Sequence, residues 1–333
     1  MTRNRYYSGP VSDHFDGARF FQAGGAIDRG VADLLRWRLG ERRAPWPRNF
    51  PSPYADRPPA RVDGGALRVV AIGHASFLIQ TRGLNLLVDP VYSRRASPTQ
   101  WIGPARVNAP GVAFDDLPVI DAILVSHNHY DHLDLAALSA LKKRHRSRIL
   151  TPLGNDAIMA AYDPALKSEA FDWGARVALS NDVAVHIEPA YHWSARGLGD
   201  RRMALWCAFT IETPDGAIYY IGDTGFGDGA IFSEIRTKRG GPRLALIPIG
   251  AYAPRWFMKD YHVDPAEAVK ILALCGARRA IAHHWGTFQL TDERIEAPRE
   301  ALEKALVEAD VEASRFRALR PGEVWREEAV GPF

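Results

Sequence analysis

A chain of 333 residues that is 47% hydrophobic has room for one large domain or two ordinary ones around a sizeable core. A formal net charge of +3 gives only a mild attraction to anionic surfaces, so no nucleic-acid partner is expected. Cys207 and Cys275 lie far apart in apolar segments, which argues against a disulfide framework or a thiolate metal site.

The first five residues are basic, but Tyr6-Tyr7-Ser8-Gly9-Pro10 follows where a secretory signal would place an apolar core. No stretch approaches the roughly 18 apolar residues of a membrane span, so a cytoplasmic protein is expected. Residues 1–66 read as an extension: a short helix over 28–39, then Pro45, Pro47, Pro51, Pro53, Pro58 and Pro59, which enforce irregular chain. Val31, Leu34 and Leu35 fall at helical spacing among Arg29, Arg36 and Arg38. Helices that lie on anionic membranes share that pattern, which would put the protein peripherally at the inner membrane surface. A helix docked on the catalytic domain is the simpler expectation.

The main domain, 67–333, opens with short apolar runs at 67–72, 76–80 and 84–88, closed by Asp89-Pro90. Residues 121–125 read as a buried strand and 133–143 as a helix, with further strands over 148–151 and 183–188. A hairpin pairs 204–212 with 217–221 through Thr213-Pro214-Asp215-Gly216. After a strand over 244–249, Asp264-Pro265-Ala266-Glu267 combines a cap, a first-position proline and a capping-box acid, starting a helix to about residue 274. A strand over 279–282, a helix over 297–309 and a strand over 316–319 complete an α/β layered pattern.

Ser126-His127-Asn128-His129-Tyr130-Asp131-His132 holds three of the chain's eleven histidines and an aspartate directly after a strand. Ligands two residues apart share a side only in extended chain, so this is not a helical metal motif but a turn at a strand's carboxyl end, where α/β proteins place their sites. His192, Asp223 and His284 stand at three other segment ends. Seven ligands suit two metals, about 3.5–4 Å apart with a carboxylate between them. Nitrogen and oxygen donors without thiolate suit Zn²⁺, with Mn²⁺ or Fe as alternatives. His262, before the capped helix, is placed to donate a proton to a leaving group, or else satisfies nearby backbone. Tyr252 and Arg255 are candidate phosphate contacts. His74 and Asp89 are assigned places behind the ligands, Asp89 as acceptor for a ligand imidazole. His14, His145 and His186 read as surface or packing residues.

The order His127-x-His129-x-Asp131-His132, then His192, Asp223 and His284, resembles the metallo-β-lactamase superfamily. The resemblance implies a four-layer αβ/βα sandwich. It implies one zinc on His127, His129 and His192, a second on Asp131, His132 and His284, and Asp223 bridging both. Of His283 and His284, it selects His284, which precedes Trp285. Cys207 matches no ligand position, which separates the chain from the branch whose second site uses cysteine. Ser97-Pro98-Thr99-Gln100, Gly103-Pro104, Ile249-Gly250-Ala251-Tyr252, Pro254-Arg255-Trp256-Phe257-Met258, His262-Val263-Asp264-Pro265 and His284-Trp285-Gly286-Thr287-Phe288 are similar to the N-acylphosphatidylethanolamine-hydrolysing phospholipase D branch. That branch implies a zinc-dependent phosphodiesterase releasing N-acylethanolamine and phosphatidic acid, with a hydroxide bridging the metals as nucleophile and Asp131 orienting it. The alternatives are a soluble hydrolase of a lactone or sugar-phosphate ester on the same fold, and a regulatory protein that keeps metal only for structure. An apolar channel beside the metals would favour the lipid.

Overall fold

The structure is a computed structural model and describes residues 3–22, 29–40 and 43–328. Strands β1 (Leu67–Gly73), β2 (Ser76–Thr81), β3 (Leu84–Val88), β4 (Ala122–Leu124), β5 (Arg148–Pro152) and β6 (Glu169–Phe171) lie side by side in chain order. A second sheet holds β7 (Arg176–Ala178), β8 (Ala184–Glu188), β9 (Ala208–Glu212), β10 (Ile218–Tyr220), β11 (Leu244–Pro248), β12 (Arg279–His283) and β13 (Phe316–Ala318). The last strand, β14 (Val324–Glu327), returns to the first sheet and pairs antiparallel with β1. Both sheets follow one plan. An antiparallel meander, β1-β2-β3 or β8-β9-β10, passes into a parallel run, β3 to β6 or β10 to β13.

Each strand's alternation explains the layering. Ala122 and Leu124 of β4 face the core between the sheets, where they join Phe209, Tyr220, Leu246 and Ile281. Ile123 and Val125 face the other way, into a core closed by Leu138 and Leu141 of α2 (Leu135–His145) and Ile158 and Met159 of α3 (Asn155–Tyr162). On the far side, Ile231 and Phe232 of α4 (Ala230–Arg239), Ile271 and Leu272 of α6 (Pro265–Cys275) and Leu302 and Leu306 of α7 (Ala297–Glu308) cover the second sheet. The result is helices, sheet, sheet, helices. Strands buried on both faces read as continuous apolar runs, as these do.

Element ends differ from expectation for local reasons. The helix expected from 133 starts at Leu135 because the Asp134 side chain accepts from the Ala137 N–H at 3.1 Å, leaving Leu133 as a fully buried core residue. The capping box at Asp264 and Glu267 starts α6 as read. The α4 helix escaped notice because its start, Gly229 at φ 79°, offers no side-chain cap.

The helix expected over 28–39 is α1 (Val31–Leu39); residue 28 lies outside the described residues. Trp37 Nε1 donates to Asp292 at 2.6 Å and its ring packs on Phe257, while the Arg36 guanidinium sits over Trp256 beside α5 (Arg255–Met258). Nearer the N-terminus, Phe15 and Phe20 are buried in the core under the second sheet, and Asn4 Nδ2 donates to the Met203 carbonyl at 2.9 Å.

Candidate metal centre

Four segment ends deliver the seven expected ligands to one place: the turn after β4, the chain after β8, the turn after β10 and the end of β12. The i, i+2 rings of His127 and His129 face each other, with His127 Nε2 2.9 Å from His129 Nδ1. His192 Nε2 lies 3.2 Å from the same His129 atom. The outer nitrogens fix how two of these rings present themselves. His192 Nδ1 faces the Tyr261 carbonyl at 3.0 Å, and a carbonyl only accepts, so the proton sits there and Nε2 turns its lone pair inward. His127 Nδ1 meets the Ser126 hydroxyl at 2.9 Å.

The second group is built around carboxylates. Asp131 Oδ2 lies 2.9 Å from His74 Nε2, 3.2 Å from His284 Nε2 and 3.6 Å from His132 Nε2. Asp223 Oδ2 stands between the groups, 3.1 Å from His284 Nε2, 3.2 Å from His132 Nε2, 3.7 Å from His192 Nε2 and 3.8 Å from His127 Nε2. Behind them Asp89 is fully buried and accepts from His132 Nδ1 (2.7 Å), Ser126 N (2.7 Å), Ser126 Oγ (2.5 Å) and Tyr220 OH (2.6 Å). That matches the acceptor role expected of it. β12 ends at His283, and His284 turns out of the strand at φ 63°. The His283 ring instead stacks on Tyr220, 5.3 Å between centroids.

Charge divides the site. Burial, reinforced by neighbouring imidazoles, holds His127 and His192 well below the usual histidine range, and burial pushes His129 down to about 4 against the pull of Asp131 and Asp223. Burial also opposes charge on His132 and His284, but Asp223 and Asp131 outweigh it, raising His132 well above the ordinary value and His284 to about 9. Asp131 and Asp223 are correspondingly held low by those imidazoliums despite burial.

Metal fits this donor set. His127, His129, His192 and Asp223 bring one ligand atom each within 4.8 Å of one another, as do His74, Asp131, His132 and His284. Among the described residues, His132 Nε2, His284 Nε2 and Asp223 Oδ1 are buried without a hydrogen-bond partner. Orphaned lone pairs converging in a dry site are costly unless a cation or proton satisfies them.

A cavity of about 520 Å³ opens over the cluster, with His129, Asp131, Asp223 and His262 at its base and Leu34, Trp37, Trp193, Phe257, Met258 and Leu290 among its walls. Arg201 adds a cation to this wall, its guanidinium 4.1 Å from the Trp193 ring centroid and donating to Tyr261 OH at 2.9 Å. His262 Nδ1 approaches Asp223 Oδ2 at 4.0 Å. Burial pushes its pKa down to about 4. The expected phosphate contacts are not assembled: neither Tyr252 nor Arg255 lines the cavity. The Arg255 fork is engaged by the His262 carbonyl and Glu267, both at 2.7 Å, and so holds the His262 loop against α6. His74, expected behind the ligands, is found there, with its Nε2 2.9 Å from Asp131 Oδ2.

Residues 84–285 match the family model described as a beta-lactamase superfamily domain. The chain is 38% identical over 267 residues to N-acyl-phosphatidylethanolamine-hydrolyzing phospholipase D 1 of Caenorhabditis elegans, covering 76% of this chain and 74% of that one. It is 36% identical over 225 residues to the mitochondrial N-acyl-phosphatidylethanolamine-hydrolyzing phospholipase D of Saccharomyces cerevisiae, covering 66% and 48%. In fold it is similar to an isothiocyanate hydrolase from Delia radicum gut bacteria, with a TM-score of 0.62 at 19% identity over 78% of this chain and 98% of that one.

Proposed function

The chain belongs to the beta-lactamase superfamily and is a metal-dependent hydrolase; on that premise we propose that it is a zinc phosphodiesterase that cleaves N-acylphosphatidylethanolamine-type phospholipids to N-acylethanolamine and phosphatidic acid. The observation that carries the lipid is the cavity: six apolar side chains from four separate segments wall a space whose base is the His/Asp cluster. A soluble sugar phosphate or lactone has no use for such walls, whereas an acyl chain buries apolar surface there.

In this reading His127, His129 and His192 hold one Zn²⁺, Asp131, His132 and His284 the other, and Asp223 reaches both. Bound zinc supplies Lewis acidity and a lowered pKa for water, which phosphodiester hydrolysis needs at neutral pH. The chain's own groups do the placing. Asp131, held between His74 and His284, orients the attacking water through its free lone pairs. His262 donates a hydrogen bond toward the leaving oxygen, kept in position by Arg255. Arg201, over the Trp193 ring, holds positive charge where a phosphodiester anion enters.

No helix among the described residues is long and apolar enough to cross a membrane. We assign substrate access to α1, at the inner membrane surface of the cytoplasm. Leu34 and Trp37 reach into the cavity wall, while Leu35 and Leu39 stay 53% and 83% exposed. The main domain then starts with β1, and residues 1–66 serve as an extension that brings this helix to the cavity mouth.

The test is metal-replete protein assayed on N-acylphosphatidylethanolamine micelles and on a soluble phosphodiester. Release of N-acylethanolamine and phosphatidic acid is expected; rapid cleavage of the soluble ester with neither lipid product would overturn the reading.

A further inference from the structure

We propose that the opposite end of the sandwich carries a second binding site, for a soluble anion bearing two or more phosphate groups. Strand β12 joins the two places: it starts at Arg279 and ends at His283, just before the proposed ligand His284. At about 3.3 Å per residue the two sites are roughly 15 Å apart along the strand. The second site is a cavity of about 700 Å³, lined by Arg278, Arg279, Arg315, Arg317, Arg326 and Trp325, within the usual range of about 300–1,000 Å³ for small-ligand sites.

Five guanidinium groups face two lining carboxylates, Glu312 and Glu327. Among the described residues, three of the five have no carboxylate partner. Arg279 donates to the Ser314 hydroxyl at 3.2 Å, and Arg315 donates to the Arg278 and Ala277 carbonyls at 3.3 and 3.2 Å. The Arg326 side chain has no hydrogen bond or ion pair among the described residues. Arg317 is paired with Glu323, and Glu327 is shared loosely, 3.6 Å from Arg278 and 3.6 Å from buried Arg243. Five arginines from three stretches of the chain converge on one concavity. Uncompensated like charges held together raise each other's energy, and a multivalent anion relieves that.

Phosphate is the chemistry these groups favour, since the planar fork matches its oxygens two at a time. The Arg315 carbonyl contacts fix its fork before a ligand arrives. Two or more phosphates are required because the guanidiniums without a carboxylate partner come from three elements: the start of β12, the turn before β13, and β14. A membrane surface is a poorer occupant, because no exposed large apolar side chain lines the cavity to insert among lipids. A duplex nucleic acid would need a stripe of phosphate contacts along a groove rather than one bounded concavity.

Pyrophosphate is the probe, titrated calorimetrically into the metal-loaded protein at about 50 mM salt, where ion contacts are least screened, with bound metal measured before and after. The expected result is a binding event that weakens at least tenfold in R279A/R326A, with metal content, melting temperature and hydrolytic activity unchanged. Equal affinity in that variant overturns the proposal. So does tighter binding of a duplex oligonucleotide than of pyrophosphate through the same arginines. Should the double variant fold poorly, R326A alone, at an exposed position whose side chain has no partner among the described residues, is expected to cost at least threefold, and no change there counts equally against the site.

Discussion

The two halves of the His/Asp cluster solve one problem in opposite ways. His127 and His192 turn their outer nitrogens to neutral partners, a hydroxyl and a carbonyl, and burial keeps those rings uncharged. Their lone pairs are ready for a cation. His132 and His284 lie against Asp131 and Asp223, and without metal they hold protons that balance those carboxylates. The first half is prepared for metal by desolvation; the second is prepared by charge, and metal must displace protons to enter it. Asp223 is the group common to both.

Breaking the common group should have the largest effect. Asp223→Asn keeps the shape but removes the charge, and it is expected to lower hydrolytic activity on the order of 10³-fold. That follows from the several kcal/mol a metal contributes to charge stabilisation, at about 1.4 kcal/mol per tenfold. Metal analysis of the same protein should show both ions reduced. Loss of one alone would mean the halves are independent and Asp223 is no bridge.

pH should separate the halves next. In the second half His284 keeps its proton up to about pH 9, because Asp223 and Asp131 outweigh burial, and His132 is raised as well. Metal binding there requires the neutral rings, so its affinity falls as pH drops below about 9. In the first half His129 is already neutral down to about 4, and His127 and His192 are held well below the ordinary value, so acid has little to add above that range. Dialysis against limiting zinc is expected to give about two ions per chain at pH 8 and about one at pH 6 by mass spectrometry. Parallel loss of both ions would erase the distinction.

Asp89→Asn tests the support behind the second half. Its carboxylate fixes the His132 tautomer and strengthens that ring as a ligand, and removing such a partner typically costs about 10–100-fold in metal affinity. The loss should fall on the second ion. Ser126 also donates to Asp89, so a smaller weakening of the first, through His127, is expected in the same titration.

Much of this was legible in sequence because α/β topology carries ligands on strand ends, and strand ends announce themselves as an apolar run followed by polar residues. His127, His129, Asp131 and His132 after β4, Asp223 after β10 and His284 after β12 all follow that rule, and Asp89 after β3 follows it too. The cavity was not legible. Leu34, Trp193, Phe257 and Leu290 are ordinary apolar residues in four segments, and nothing local says that they meet. The Arg255 environment was not legible for a related reason: the fold places Glu267, one turn into α6, within reach of its fork. Strand β14 was missed because its partner β1 lies more than 240 residues earlier, at Leu67↔Glu327, and only that pairing makes Val324–Glu327 a strand. His74 shows the limit at the site itself, since whether a histidine touches a carboxylate or merely packs is decided by two segments at once.

Tyr220→Phe should have the smallest effect on metal and is the sharpest probe of the second half. It removes one of four donors to Asp89 but keeps the ring on which His283 stacks. If Asp89 acts mainly by charge, a carboxylate with three donors remains at least as strong an acceptor for His132, and second-ion affinity should change by less than about threefold. The stability of the protein should still drop, by about 1.5–3 kcal/mol for a lost hydrogen bond to a charged group. If Asp89 acts instead by holding an exact position, Tyr220→Phe should approach Asp89→Asn in its effect on the second ion. Measured side by side, the two substitutions separate charge from placement, because only the first leaves the carboxylate in place.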